Sequence, residues 1–182
     1  MKLHTPRLTL RPWRPWDARW LYRYASDERI GPATGWPPHE SLAESRMVLK
    51  EILAVPETYA IVPRGVHHPV GSIGLHIGEN SGLDLPPDVG EIGYWVGVPY
   101  WGQGFAPEAL AEVVRHAFED LGLTKLWCGY FEGNEKSRRV QQKCGFALCE
   151  VRRDIFWPLL EKNCTECITC LARENWRSTG KK

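Results

Sequence analysis

The chain has 182 residues, 43% hydrophobic and 25% charged, the balance of a soluble globular protein; this excludes disordered, collagen-like and low-complexity classes and predicts a single domain over 1–182. Lys plus Arg is 23 and Asp plus Glu is 22, so the net charge of +1 steers it neither to nucleic acid nor to membrane phosphate, and any anion site must be local. The opening MKLHTPRLTLRPWRPW lacks a signal-peptide core, and no stretch reaches the roughly 18 apolar residues of a membrane span, so a cytoplasmic protein is expected.

In chain order, Arg7 to Arg11 alternates as a half-buried strand, and Asp17 is placed to cap a short helix carrying Trp20, Leu21 and Tyr24. After the Gly/Pro-rich loop IGPATGWPPHE, Ser41 and Glu44 form a capping box, predicting a helix from Leu42 to Leu53 before Pro56. Strands are predicted at Tyr59–Pro63 and Val70–Ile77, joined by the turn RGVHHP, with a polar loop from Gly78 to Val89. Glu91–Val98 reads as a strand, Tyr100–Ala106 as a glycine turn, and Pro107 fits the first position of a helix whose apolar stripe runs from Leu110 to Leu121, ending at Gly122. Lys125–Tyr130 reads as a strand parallel to Glu91–Val98, because a helix long enough for a crossover lies between them. Asn134 starts a helix ending at Cys144 with Gly145 as its cap, and weaker strand signals follow at Ala147–Ile155 and Thr165–Ala172. The order predicts an α+β fold with a mixed sheet.

The turn with Gly102 and Gly104 offers free backbone amides at a helix start, a way to hold phosphate without many basic residues; taken alone, the glycine pair is more often a plain strand-to-helix turn. Pro107 stands where a dinucleotide fingerprint has its third glycine, and no G-x-x-x-x-G-K-[ST] occurs. The six cysteines are expected to be reduced, and nine tryptophans suit both core and cleft walls. Cys164, Cys167 and Cys170 spell C-x-x-C-x-x-C, but in a strand the middle one points away from the others, so buried thiols are expected rather than a metal site. His67 and His68 share a turn and are expected to be exposed rather than ligands.

The run GEIGYWVGVPYWGQGFAPEAL (Gly90–Leu110), followed by NEKSRRVQQKCGF (Asn134–Phe146), resembles the GNAT superfamily of acetyl-CoA-dependent N-acetyltransferases, and TPRLTLRPW resembles its ribosomal-protein N-terminal acetyltransferase branch. The resemblance implies a single-domain GNAT-like fold, with a mostly antiparallel sheet splayed at two parallel strands and flanked by about four helices. It implies a pyrophosphate loop over Trp101, Gly102, Gln103, Gly104 and Ala106, backbone pairing of Val96 and Val98 with the pantetheine arm, and a cleft where the strand at Lys125 diverges. Two departures stand out: Trp101 begins the loop, and Gln141 occupies the position of a frequent proton-donating tyrosine, which leaves Ser137 as the candidate by resemblance.

Acetyl transfer needs a neutral amine, a polarised carbonyl and a route for the proton. Glu91 is the candidate base or, equally, a strand-end surface carboxylate. Asn134 orients cofactor or amine, or caps its helix; Ser137 donates to the thiolate, or bonds its own backbone. Arg138, Arg139 and Lys143 suit a nucleotide phosphate or simply form a solvated helix face. The Trp36 loop and the Gly78–Val89 loop would flank the acceptor entrance. The expected cosubstrate is acetyl-CoA with no metal, the acceptor a protein N-terminus or a small amine, and exposed tryptophans would serve a homodimer. Two further readings remain open at this point: a catalytically silent CoA-binding sensor or interaction module, motivated by Gln141, and a metal-binding interaction domain resting on the cysteine trio.

Overall fold

A computed structural model describes residues 1–81 and 85–179. Strands β1 (Leu3–His4), β2 (Leu8–Pro12), β3 (Thr58–Pro63), β4 (Gly71–Ile77), β5 (Val89–Val96), β6 (Lys125–Phe131), β7 (Ala147–Trp157) and β8 (Lys162–Ala172) form one sheet in the order β1-β2-β3-β4-β5-β6-β8-β7. Every neighbouring pair is antiparallel except β5 and β6, as the intervening helix predicted. The four expected helices are α1 (Ala18–Ala25), α3 (Leu42–Val48), α4 (Phe105–Arg115) and α5 (Glu135–Lys143), with a one-turn α2 (Gly31–Thr34) and a C-terminal α6 (Arg173–Thr179) in addition. Among the described residues no helix is long and apolar enough to cross a membrane.

The two sheet faces carry separate apolar layers. Leu8, Leu10, Ile61, Ile73 and Ile92 pack against Ala109, Leu110, Val113 and Val114 of α4, while Trp13 and Ala60 pack against Leu21 and Ala25 of α1 and Leu49 beyond α3. Each layer follows from strand alternation meeting a helix stripe.

Local chemistry explains where the elements differ from expectation. The 42–53 helix exists, but its last turn, Leu49–Leu53, is wound wider, as is His116–Asp120 after α4. Ser41 caps α3 by accepting from Glu44 N at 3.1 Å, whereas the Glu44 carboxylate reaches back to Glu40 N at 2.6 Å, one residue beyond the expected box. Asp17 makes no cap bond to α1; the buried Arg11 guanidinium takes its carboxylate at 2.6 and 3.0 Å, and Arg14 N donates to it as well. α4 starts at Phe105, so Pro107 is its third residue, still among the first-turn positions whose amides have no helical acceptor.

β7 and β8 are a longer hairpin than the sequence indicated, and a bulge between Leu148 and Glu150 shifts the register beside Ala147↔Cys170. There Cys149 and Cys170 are joined in a disulfide, correcting the expectation that all six cysteines are reduced and that Cys170 is a buried thiol. Cys164 and Cys167 are free, and no group of three potential metal-binding side chains occurs among the described residues. His68 is half-buried, stacked on Trp20 with ring centroids 3.7 Å apart, while His67 is exposed as expected. Of the tryptophans only Trp16 is exposed, which leaves little tryptophan surface for a dimer.

Candidate active site

β5 and β6 pair only at Val89↔Lys125, Gly90↔Leu126 and Glu91↔Trp127. Beyond that point β5 stays with β4 as far as Val96↔Gly71, and β6 stays with β8 as far as Phe131↔Glu166. The two strands therefore part, and a cavity of about 460 Å³ occupies the split and the space on either side of it. Alternation assigns the walls: Ile92, Tyr94 and Val96 face α4 and α5, while Glu91, Gly93 and Trp95 face α1 and α3.

On the α4 side, Gly102 (φ +76°) and Gly104 (φ +79°) take left-handed conformations that turn the chain from β5 into the helix. No backbone carbonyl among the described residues accepts from the amides of Gly102 and Gly104, and both line the cavity with Ala106. Arg7, just before β2, fixes this loop, donating to Gln103 O at 2.9 Å and pairing with Glu108 at 2.6 Å. Arg139 and Lys143 line the cavity and so does Lys136, whose ammonium lies 3.6 Å from the Trp101 ring centroid; Arg138 instead pairs with Glu135 on the helix surface. This cluster of free amides at a helix start, backed by three cations, fits the diphosphate of acetyl-CoA.

Two expected cofactor contacts fall elsewhere. Val98 lies in a turn after β5 and accepts from Trp101 N, and Gln103 donates to Pro99 O; neither lines the cavity. Val96 does, although its carbonyl already accepts from the Trp101 indole at 2.6 Å. That bond gives Trp101 a structural task at the loop start, holding the loop onto the end of β5.

Buried in the α5 wall is a chain of polar groups. The Tyr94 hydroxyl from β5 lies 3.0 Å from Ser137 Oγ and donates to Ser137 O at 3.2 Å. Gln141 donates to Ser137 Oγ and to Gly129 O, both at 3.1 Å, and the Thr169 hydroxyl lies 2.7 Å from Gln141 Oε1. Gln141 is fully buried, so it is a bracket that fixes Ser137. Burial pushes the Tyr94 phenol above its ordinary range, which keeps it protonated and a donor. Asn134 caps α5 by accepting from Ser137 N at 3.2 Å and spends its amide on Ala33 O at 3.2 Å, so both its polar ends serve the protein.

The opposite face carries carboxylates and aromatic rings. Glu91 lines the cavity where β5 leaves β6, and Glu166 of β8 lines it from across β6. Residues 33–35 form a roof, held by Asn134 and by Trp157, whose indole donates to Gly35 O at 2.7 Å and whose ring meets Phe131 edge-on at 4.9 Å. Trp36 lies behind this roof, packed edge-on to Trp95, and does not line the cavity; residues 82–84 of the Gly78–Val89 loop lie outside the described residues. Glu91, Ser137, Asn134 and the glycine loop were placed from sequence, and one cavity brings them together. Tyr94, Lys136 and Glu166 were not. The Tyr94 strand position is legible from alternation, but the Glu166 signal was hidden inside a cysteine motif.

The acetyltransferase (GNAT) domain family matches residues 7–147. The uncharacterized N-acetyltransferase YoaA of Bacillus subtilis is 29% identical over 149 residues, 79% of this chain and 81% of that protein. Among solved structures, the ribosomal-protein-S5-alanine acetyltransferase of Vibrio fischeri superposes with a TM-score of 0.70 at 19% identity, over 97% of this chain and 98% of that one. The Microcin C7 self-immunity acetyltransferase MccE, solved with acetyl-CoA and AMP, superposes with a TM-score of 0.75 at 18% identity, over 92% of this chain and 93% of its own. With the family match spanning most of the chain and the strand split and glycine loop in place, the chain belongs to the GNAT family and is an acetyltransferase.

Proposed function

We propose that the protein transfers the acetyl group of acetyl-CoA to a primary amine, that of a protein N-terminus or of a small molecule, by direct attack within a ternary complex. The observation that carries this reading is the division of labour across the split: a hydroxyl pair beside the phosphate-loop helix on one face, carboxylates on the other. Acetyl-CoA supplies the activated acyl carbon. The amides of Gly102, Gly104 and Ala106, with Arg139 and Lys143, support a phosphate grip, and the inner edge of β5 near Val96 offers backbone groups to a pantetheine arm.

Glu91 takes a proton from the amine, directly or through water, as the nitrogen attacks. Gln141 donates to Ser137 Oγ and the Tyr94 hydroxyl shares a hydrogen bond with it, so the two hydroxyls form a connected pair that can pass a proton to the departing thiolate. This pair supplies what Gln141 itself lacks and favours an enzyme over a silent CoA-binding module. Cys128, which lines the cavity, is fully buried, and burial pushes its thiol far above its ordinary range, so a cysteine nucleophile has no part here. The test is thiol release from acetyl-CoA against N-terminal peptides and small amines, with CoA binding by calorimetry on the same sample. Turnover with any acceptor supports the reading, and CoA binding without turnover across the panel would instead favour the sensor.

A further inference from the structure

We infer that Glu166 holds the acceptor, receiving it as an ammonium on the face of the sheet opposite the cofactor loop, with Glu91 beside it to take the proton. This rests on the amine-acetylation reading and deepens it, since it names the charge class of the acceptor.

Residues opposite each other in a sheet share a face, so Glu91↔Trp127 and Phe131↔Glu166, with Trp127, Gly129 and Phe131 alternating along β6, put both glutamates on the α1 and α3 side. Gly129 lies where β6 has left β5. A Cβ on it would stand 2.7 Å from Glu166 Oε1, so the missing side chain is what lets this carboxylate lean across β6 toward the split. The cavity that Glu166 lines there is walled by Trp95, Phe131 and Trp157. A carboxylate at the inner end of an aromatic chamber is the chemistry that receives an organic cation.

The charges facing Glu166 agree. Arg152, opposite it on β7, commits its guanidinium to Glu150 at 2.8 and 3.3 Å, and Arg29, on the loop before α2, is held by Asp27 at 2.6 Å. Burial pushes the Glu166 carboxyl up; Arg152 opposes this, and Glu91 and Glu150 add to it. A cation between Glu91 and Glu166 relieves that mutual repulsion, whereas an acceptor carrying a carboxylate next to its amine adds to it. The site therefore prefers an amine with no adjacent carboxylate, as at a peptide N-terminus or in a simple amine, over a free amino acid.

The step balances. The ammonium R–NH₃⁺ first loses one proton through Glu91 to solvent; the neutral nitrogen then forms the C–N bond as the C–S bond of acetyl-CoA breaks, the freed Glu91 carboxylate takes the second N–H proton, and the thiolate gains one from Ser137, which is reprotonated from solvent. The third remains on the amide, and the proton on Glu91 returns to solvent.

The test measures steady-state thiol release with alaninamide, alanine, 2-phenylethylamine and an alanyl tripeptide for the unsubstituted protein and Glu166→Gln. The expected result is a KM raised about tenfold or more for the best acceptor with kcat within threefold, and an unchanged CoA affinity by calorimetry. Alaninamide outperforms alanine with the unsubstituted protein, and the preference shrinks in Glu166→Gln. As pH falls and Glu166 protonates, KM rises in the unsubstituted protein and rises less in the variant. Glu166→Asp, which keeps the charge, recovers part of the lost affinity. An unchanged KM in Glu166→Gln, or a loss confined to kcat, overturns the role of Glu166 while leaving amine acetylation standing. Absence of thiol release by the unsubstituted protein with every acceptor overturns both.

Discussion

Replacing Gly104 with Ala is the sharpest probe of the proposed phosphate loop. The residue sits at φ +79°, where a side chain costs about 1–2 kcal/mol, and the new Cβ would lie 3.1 Å from Arg7 Nη2. Arg7 yields only by loosening its bonds to Gln103 O and to Glu108. The loop sheds the strain by rotating the peptide at 104, which turns that amide away from the phosphate position. One bond to a charged group is worth about 1.5–3 kcal/mol, so the Kd for CoA should rise about 10- to 100-fold. The fold should lose only the backbone strain, lowering the Tm by about 2–8 °C. Calorimetric titration of CoA and of pantetheine, which has no diphosphate, reads the two apart. Equal CoA affinity in the variant, or an equal loss for pantetheine, would refute the assignment of this loop to the diphosphate.

Other consequences follow from the same structure. Asp17→Ala strands the Arg11 guanidinium, only 8% exposed, without its partner; a loss of about 3–5 kcal/mol is expected, and urea unfolding showing less than about 1 kcal/mol would contradict it. Ser137→Ala should lower kcat by about 10- to 100-fold with CoA affinity intact, and Tyr94→Phe should lower it by less, since Gln141 still orients the serine; steady-state kinetics with any accepted amine decides. Reducing the Cys149–Cys170 disulfide, which closes a segment of 21 residues, should cost about 3 kcal/mol, seen as a lower Tm when thermal unfolding is repeated with reductant.

Much of this protein is written in local patterns. Alternation in β2, the Ser41 cap, the Gly104 turn into α4 and the Asn134 cap of α5 depend on neighbours a few residues apart, so the sequence by itself determined the main elements and the α+β order, though not the short β1, α2 and α6. It also located the loop and Glu91, because motif spacing carries both. What it did not determine is whatever depends on register between distant strands. The three-pair limit of β5 with β6 decides that a split exists at all. The approach of α5 to β5 decides that Tyr94 meets Ser137, 43 residues away, and makes Gln141 a hydrogen-bonded support of that serine. The β7 bulge brings Cys149 to Cys170, although the motif pointed to a trio that alternation keeps apart. Glu166 reaches the cavity only because β8 lies beside β6 and the diagonal neighbour Gly129 leaves its carboxylate room. A chain encodes its own turns and caps within a few bonds, whereas side chains from separate strands are brought together only by the pairing of the whole sheet.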